Sequence, residues 1–181
     1  MASASELERV LRKITEDQHA HTVVLSRNPI LAQLGIAQKL KSWGISVAGW
    51  MEKGNTLLSN EATLDFRKHA FAAEVGITGV DFVLAESGSL VLTSWTEGAQ
   101  LASLAPPVHV ALYRRSQVIA TLEEILDGLS VPRDPWAPLP GRSVVFITGP
   151  SRTADIEQIL IRGVHGPKEV HAILVEEACF T

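Results

Sequence analysis

The sequence predicts an α/β protein: a mostly parallel sheet carrying one antiparallel hairpin, flanked by helices. Three observations lead there. Short apolar runs of strand length recur down the chain, helical patterns separate most of them, and that alternation builds parallel sheets through crossover helices. Two neighbouring runs instead meet across Ser87-Gly88, a hairpin signal.

Leu7, Val10, Leu11 and Ile14 recur at helical spacing, so residues 1–18 read as an amphipathic arm packed on the body. "HTVVL" is the first strand and "SRNP" the loop after it. Asn28 is a natural N-cap with Pro29 at the first helical position, opening a helix to about Trp43. Gly44 ends it and "ISVAGW" is the next strand. Residues 52–60 are polar and loop-like, and a helix over about 61–75 leads into "ITGVDFVLAE" and "SLVLTS", read as two strands. A short helix at about 97–104 must stop before Pro106, because the residue before a proline avoids helical geometry. "VHVALY" is a strand and "TLEEILDGL" a helix. The Pro-rich stretch "SVPRDPWAPLPGR" reads as a surface loop inside one domain spanning 1–181, since the roughly 40 residues after it are too few to fold unaided. "VVFI", a helix from about Thr153 to Arg162, and "VHAILV" close the chain.

The chain has 181 residues, 46% hydrophobic and 20% charged, with a net charge of −4. Its 16 basic residues are spread out, whereas nucleic-acid binding concentrates them. The N-terminal segment has no apolar leader, and no run approaches the roughly 20 apolar residues of a membrane span. A cytoplasmic location follows as the expectation. Cys179 is the single cysteine, against the four thiolates an iron–sulfur cluster usually takes. Redox carriers, if the chemistry needs them, are expected on other proteins, and no cofactor or metal is expected here.

In a parallel α/β sheet, ligands gather at the carboxyl ends of the strands. Two strand-to-helix loops, "LSRNP" and "TGPSRT", each set a Ser-Arg pair beside a helix start, where backbone N–H groups and the dipole favour an anion. Arg27 and Arg152 add guanidinium forks suited to carboxylate or phosphate, and Gly149, Pro150, Ser151 and Thr153 complete the second loop. The same residues also make ordinary helix caps, with Asp155 complementing the dipole. Glu86 ends the run "DFVLAE", where a carboxylate beside the Ser87-Gly88-Ser89 turn suits a nucleophile or general base, or simply ties down hairpin amides. Asp81, five positions earlier, should face the other side of its strand. His19 and His21 lack further ligands nearby, while His109 and His171 fall inside strands. His165, in "GVHGPKE" with Lys168, lies about 15 Å along a helix from Ser151, at the opposite sheet edge, so the two suit an interface or second site.

Three stretches carry a resemblance: "VGITGVDFVLAESGSLVL", "LAPPVHVAL" and "FITGPSRTADIEQILIRGVHGPKEVHAILVE". Their motifs, Asp81, Glu86, Gly88-Ser89 and Leu90, then Pro106, Pro107 and His109, then Gly149-Pro150-Ser151, Thr153, Asp155, Ile156 and 163–167, resemble the LUD-domain family, with Ser89 where the family usually has Thr. The likeness is strong over about 70–181 and loose before it. It implies the fold of ribose-5-phosphate isomerase, CoA transferases and formyltetrahydrofolate cyclo-ligase. It also implies a non-redox component of a three-protein system oxidising L-lactate to pyruvate, with the iron–sulfur clusters on the other two, binding either a small carboxylate or phosphate or those partner subunits. A second reading makes the chain a free-standing enzyme on an acyl-CoA, sugar phosphate or folate, with Glu86 as nucleophile by fold-level analogy. A third makes it a scaffold without a ligand.

Overall fold

The computed structural model describes residues 1–50, 60–98, 100–130, 143–149 and 166–180. Within them, five strands form a wholly parallel sheet: β1 (Thr22–Leu25), β2 (Ser46–Gly49), β3 (Val75–Thr78), β6 (Val108–Tyr113) and β9 (Glu169–Leu174), in the order β2-β1-β3-β6-β9. A second, mixed sheet has the order β7-β4-β5-β8, from β4 (Phe82–Leu84), β5 (Leu90–Thr93), β7 (Val118–Ile119) and β8 (Val144–Ile147).

Alternation along β1 sorts the core onto two faces of the parallel sheet. Val23 and Leu25 pack with Leu7, Leu11 and Ile14 of α1 (Ala4–Asp17) and with the buried residues of α2 (Pro29–Gln33) and α3 (Ile36–Ser42). Val24 faces the other way, toward Phe66 and Ala70 of α4 (Asn60–Ala72) and Ala102 of α6 (Leu101–Leu104). The amino end of α1 is closed by a capping box between Ser3 and Glu6. Gly76 lets α6 lie directly on β3: a side-chain carbon there would fall 1.8 Å from the Ala102 carbonyl oxygen.

Two elements differ from expectation. The helix predicted from Asn28 to Trp43 is broken into α2 and α3 at Gly35, whose φ of +62° is left-handed, a conformation that only glycine adopts freely. The run "ITGVDFVLAE" is likewise two strands in two sheets. β3 ends at Thr78, Gly79 packs against the Asn28 side chain, and β4 starts at Phe82 in the mixed sheet. The hairpin between β4 and β5 is present, with Val83 paired to Leu90, but residues 85–89 connect it rather than Ser87-Gly88 alone. No helix among the described residues is long and apolar enough to cross a membrane.

Candidate functional site

The carboxyl edge of the parallel sheet gathers polar groups from four parts of the chain. Beyond β1, Ser26 and Asn28 are buried. Ser26 N donates to Ile77 O at 3.1 Å, tying the loop to β3. Asn28 Oδ1 accepts from Ile30 N at 3.1 Å and so caps α2. That leaves the Asn28 amide nitrogen to donate elsewhere, and it donates to Glu97 Oε1. Glu97 closes α5 (Ser94–Glu97), just after β5, and its backbone oxygen accepts from Arg27 N at 3.1 Å.

Glu97 is 0% exposed. Burial pushes its carboxyl up to about 7; the Ser26 hydroxyl, the Asn28 amide and the Gly79 backbone oppose that rise, and the charge of Asp81 adds to it. The Asn28 amide bonds Oε1; the Ser26 hydroxyl and the Gly79 backbone lie beside the carboxyl, yet among the described residues Oε2 makes no well-formed hydrogen bond. A buried polar atom left unpaired costs about 1–3 kcal/mol. Asp81 is held differently: it accepts from Thr93 N at 2.6 Å and from Thr96 Oγ1 at 2.7 and 2.8 Å. Two neighbouring carboxyls thus sit in unlike surroundings, one buried and one held by three hydrogen bonds.

Trp50 follows β2 and is fixed by its backbone N–H, which donates to Leu25 O at 3.1 Å, and by an edge-on contact with Phe66 at 5.1 Å and 82°. Its indole Nε1 is buried without a partner among the described residues. Gly98, at φ +71°, makes room for it: a side-chain carbon there would lie 2.6 Å from that nitrogen and 3.1 Å from Arg27 Cδ. Deeper in the sheet, the Thr78 hydroxyl donates to Gly79 O at 2.7 Å and so accepts from His109 Nε2 at 2.8 Å. His109 is fully buried, and burial, then the charge of His171, push its pKa down to about 4. Its Nδ1 is therefore a bare acceptor, unpartnered among the described residues.

Sequence-predicted residues fall in several places. Glu86 lies beyond β4 in an exposed turn, and its carboxylate accepts from Leu122 N at 3.1 Å, at the start of α7 (Leu122–Ser130). Ser87 and Gly88 are exposed, Ser89 is buried, and the two serine hydroxyls lie 2.7 Å apart. Gly88 N donates to Leu84 O and Ser89 N to the Ser87 hydroxyl, so these turn amides are used internally. Leu90 pairs with both Val83 and Ile147; the ends of β4 and β8 therefore share an edge, with Glu86 and the exposed Gly149 on it. Arg27 does not join them. It sits beside Glu97, past the far end of β5 from Glu86. Lys168 is exposed, and its N–H donates to Pro107 O at 2.7 Å, near the amino ends of β6 and β9. Pro150, Ser151, Arg152, Thr153 and His165 lie outside the described residues.

His19 and His21 line a cavity of about 610 Å³ with Arg12, Glu16 and Trp43, at the amino end of the parallel sheet. No group of three or more His, Cys, Asp or Glu among the described residues is placed to hold a metal. Sequence reasoning missed Glu97 and Trp50 altogether. A charged residue in "SWTEG" reads as surface, and only the β5 connection reveals that it turns inward.

A two-sheet α/β protein with a buried carboxyl at the carboxyl edge of its parallel sheet is the class that fold and site define. The family model described as the LUD domain matches residues 1–175, and the chain belongs to that family. It is similar to lactate utilization protein C of Halalkalibacterium halodurans, 31% identical over 171 residues that cover 94% of this chain and 70% of that protein. Lactate utilization protein C of Bacillus subtilis is 32% identical over 168 residues, covering 86% of this chain and 62% of that protein, so the match spans less than two thirds of it. Among solved structures, a DUF162 family protein from Deinococcus radiodurans matches 97% of this chain and 100% of its own, at 21% identity and a TM-score of 0.49.

Proposed function

We propose that this chain is a non-redox component of lactate utilisation, acting beside separate iron–sulfur proteins in the oxidation of L-lactate to pyruvate and binding a small carboxylate. The observation that carries this reading is likeness to proteins named lactate utilization protein C across 94% of the chain. Its lone cysteine agrees with placing the clusters on partners, because one thiolate is far short of the usual four. Deletion in the source organism tests it. The expected result is lost growth on L-lactate with unchanged growth on glucose, restored by the gene, and co-purification of iron–sulfur proteins with a tagged copy. Undiminished growth on lactate would remove the reading.

The alternative, a free-standing enzyme using Glu86 on an acyl-CoA, sugar phosphate or folate, has less behind it. An exposed carboxylate that accepts the first amide of α7 has the surroundings of a helix cap, and a nucleophile needs an enclosed, activating one.

A further inference from the structure

The geometry points to a ligand site at Glu97 and Trp50, held in place by Asn28, that receives the oxygen-bearing end of a small 2-hydroxy- or 2-oxo-carboxylate. Two buried polar atoms, Glu97 Oε2 and Trp50 Nε1, lack partners among the described residues. Gly98 links them along the chain: it follows Glu97 directly, and a side-chain carbon on it would lie 2.6 Å from the indole nitrogen. Native interiors satisfy such atoms, so an unpaired pair together marks a place where something else supplies the hydrogen bonds. The edge of the sheet is the expected one for a ligand.

Donor chemistry selects the ligand class. An indole N–H only donates, whereas a carboxyl donates when protonated and accepts when ionised. A ligand offering an acceptor oxygen to Trp50 and a second oxygen to Glu97 satisfies both, and a hydroxy or oxo acid has them on adjacent carbons. Asn28 is a positioning residue: its amide fixes Oε1, so Oε2 is the oxygen turned to the ligand. Titratable and charged groups around Glu97, among the described residues, are Asp81 between β3 and β4, Arg27 beyond β1, and His109 of β6 behind Thr78. The charge of Asp81 already opposes ionisation of Glu97, so an acid anion binds best when Glu97 is protonated. Above the Glu97 midpoint, binding therefore takes up one proton from solvent per ligand, to the Glu97 carboxyl.

The choice of acid rests on the proposed function; the existence of the site does not. Calorimetric titration of the full chain with L-lactate, pyruvate and propionate, in two buffers of different ionisation enthalpy, tests it. Expected are binding of L-lactate or pyruvate, weaker binding of propionate, which lacks the 2-oxygen, and uptake of about one proton at pH 8 with affinity falling about tenfold per pH unit above 7. In Glu97→Gln the proton uptake and that pH slope vanish; in Trp50→Phe affinity drops about tenfold with the proton uptake kept. Thermal melting establishes that each variant folds. No binding of any acid, or proton uptake unchanged in Glu97→Gln, overturns the site. Binding as described with normal growth of the deletion strain on lactate would leave the site standing and remove the function; lost growth with no binding would do the reverse.

Discussion

Asn28 donates its side-chain amide to Glu97 Oε1 while its own oxygen caps α2. One residue thereby joins the loop after the first strand to the short helix after the fifth, 69 positions apart in sequence. The carboxyl it holds is the most deeply buried acid at the sheet edge among the described residues.

Glu97 should make stability fall as pH rises. Its folded value of about 7 exceeds the ordinary 4.5, so between those values the native chain keeps a proton that the unfolded chain has lost. Its contribution is fully favourable below about 4.5 and is lost as pH rises through 7, by about 3 kcal/mol in all. Denaturant unfolding of Glu97→Gln should lack this loss, gaining on wild type between pH 5 and 8. Parallel curves for the two proteins would contradict the burial.

His109 acts in the opposite direction. Its folded value, about 4 against 6.5, means the unfolded chain binds the proton first as pH falls. Stability is present above 6.5 and lost as pH falls toward 4. His109→Gln should flatten that acid limb in a melting series, with some loss of stability at neutral pH from the altered Thr78 contact.

Asn28→Asp separates capping from carboxyl pairing, because aspartate caps a helix as well as asparagine does. It places a second carboxylate where Glu97 Oε1 now accepts an amide, and like charges at one site resist joint ionisation. The variant should be destabilised by about 2 kcal/mol or more at pH 8 and recover toward pH 5. Wild-type melting temperatures at every pH would show that only the cap matters.

Gly76→Ala should be among the most damaging conservative changes in the chain. The added carbon meets backbone, 1.8 Å from the Ala102 carbonyl oxygen, and neither strand nor helix yields cheaply. A loss of about 3 kcal/mol or more is expected, read as a drop in melting temperature or in soluble yield.

Glu86→Ala, in contrast, removes an exposed cap from α7. Expected are a loss of about 1 kcal/mol and unchanged titration with L-lactate and pyruvate. A collapse of binding in this variant would move the site to the β4–β5 turn.

Much of the architecture was legible because periodicity and punctuation are local signals. The helix arm through Leu7, Leu11 and Ile14, the Asn28-Pro29 start and the hairpin near Gly88 are all where the residues put them. The division of "ITGVDFVLAE" between two sheets was not legible. Nothing in that apolar run announces that Gly79 must pack on Asn28 from a distant loop. The site suffered the same limit. Glu86 and Arg27 drew attention as charged residues at turns, whereas Glu97 becomes distinctive only through burial and Trp50 only through an unpaired nitrogen. Both are properties of tertiary contact, which spacing along the chain does not encode.

The most direct test of the buried carboxyl is a pH titration of the side-chain carboxyl carbons by NMR on glutamate-labelled protein, with Glu97→Gln to assign the resonance. The expected result is one glutamate titrating with a midpoint near 7, absent from the variant and displaced when L-lactate or pyruvate is added. If every glutamate instead titrates below pH 5, Glu97 is not the buried acid described here and the site built on it is lost.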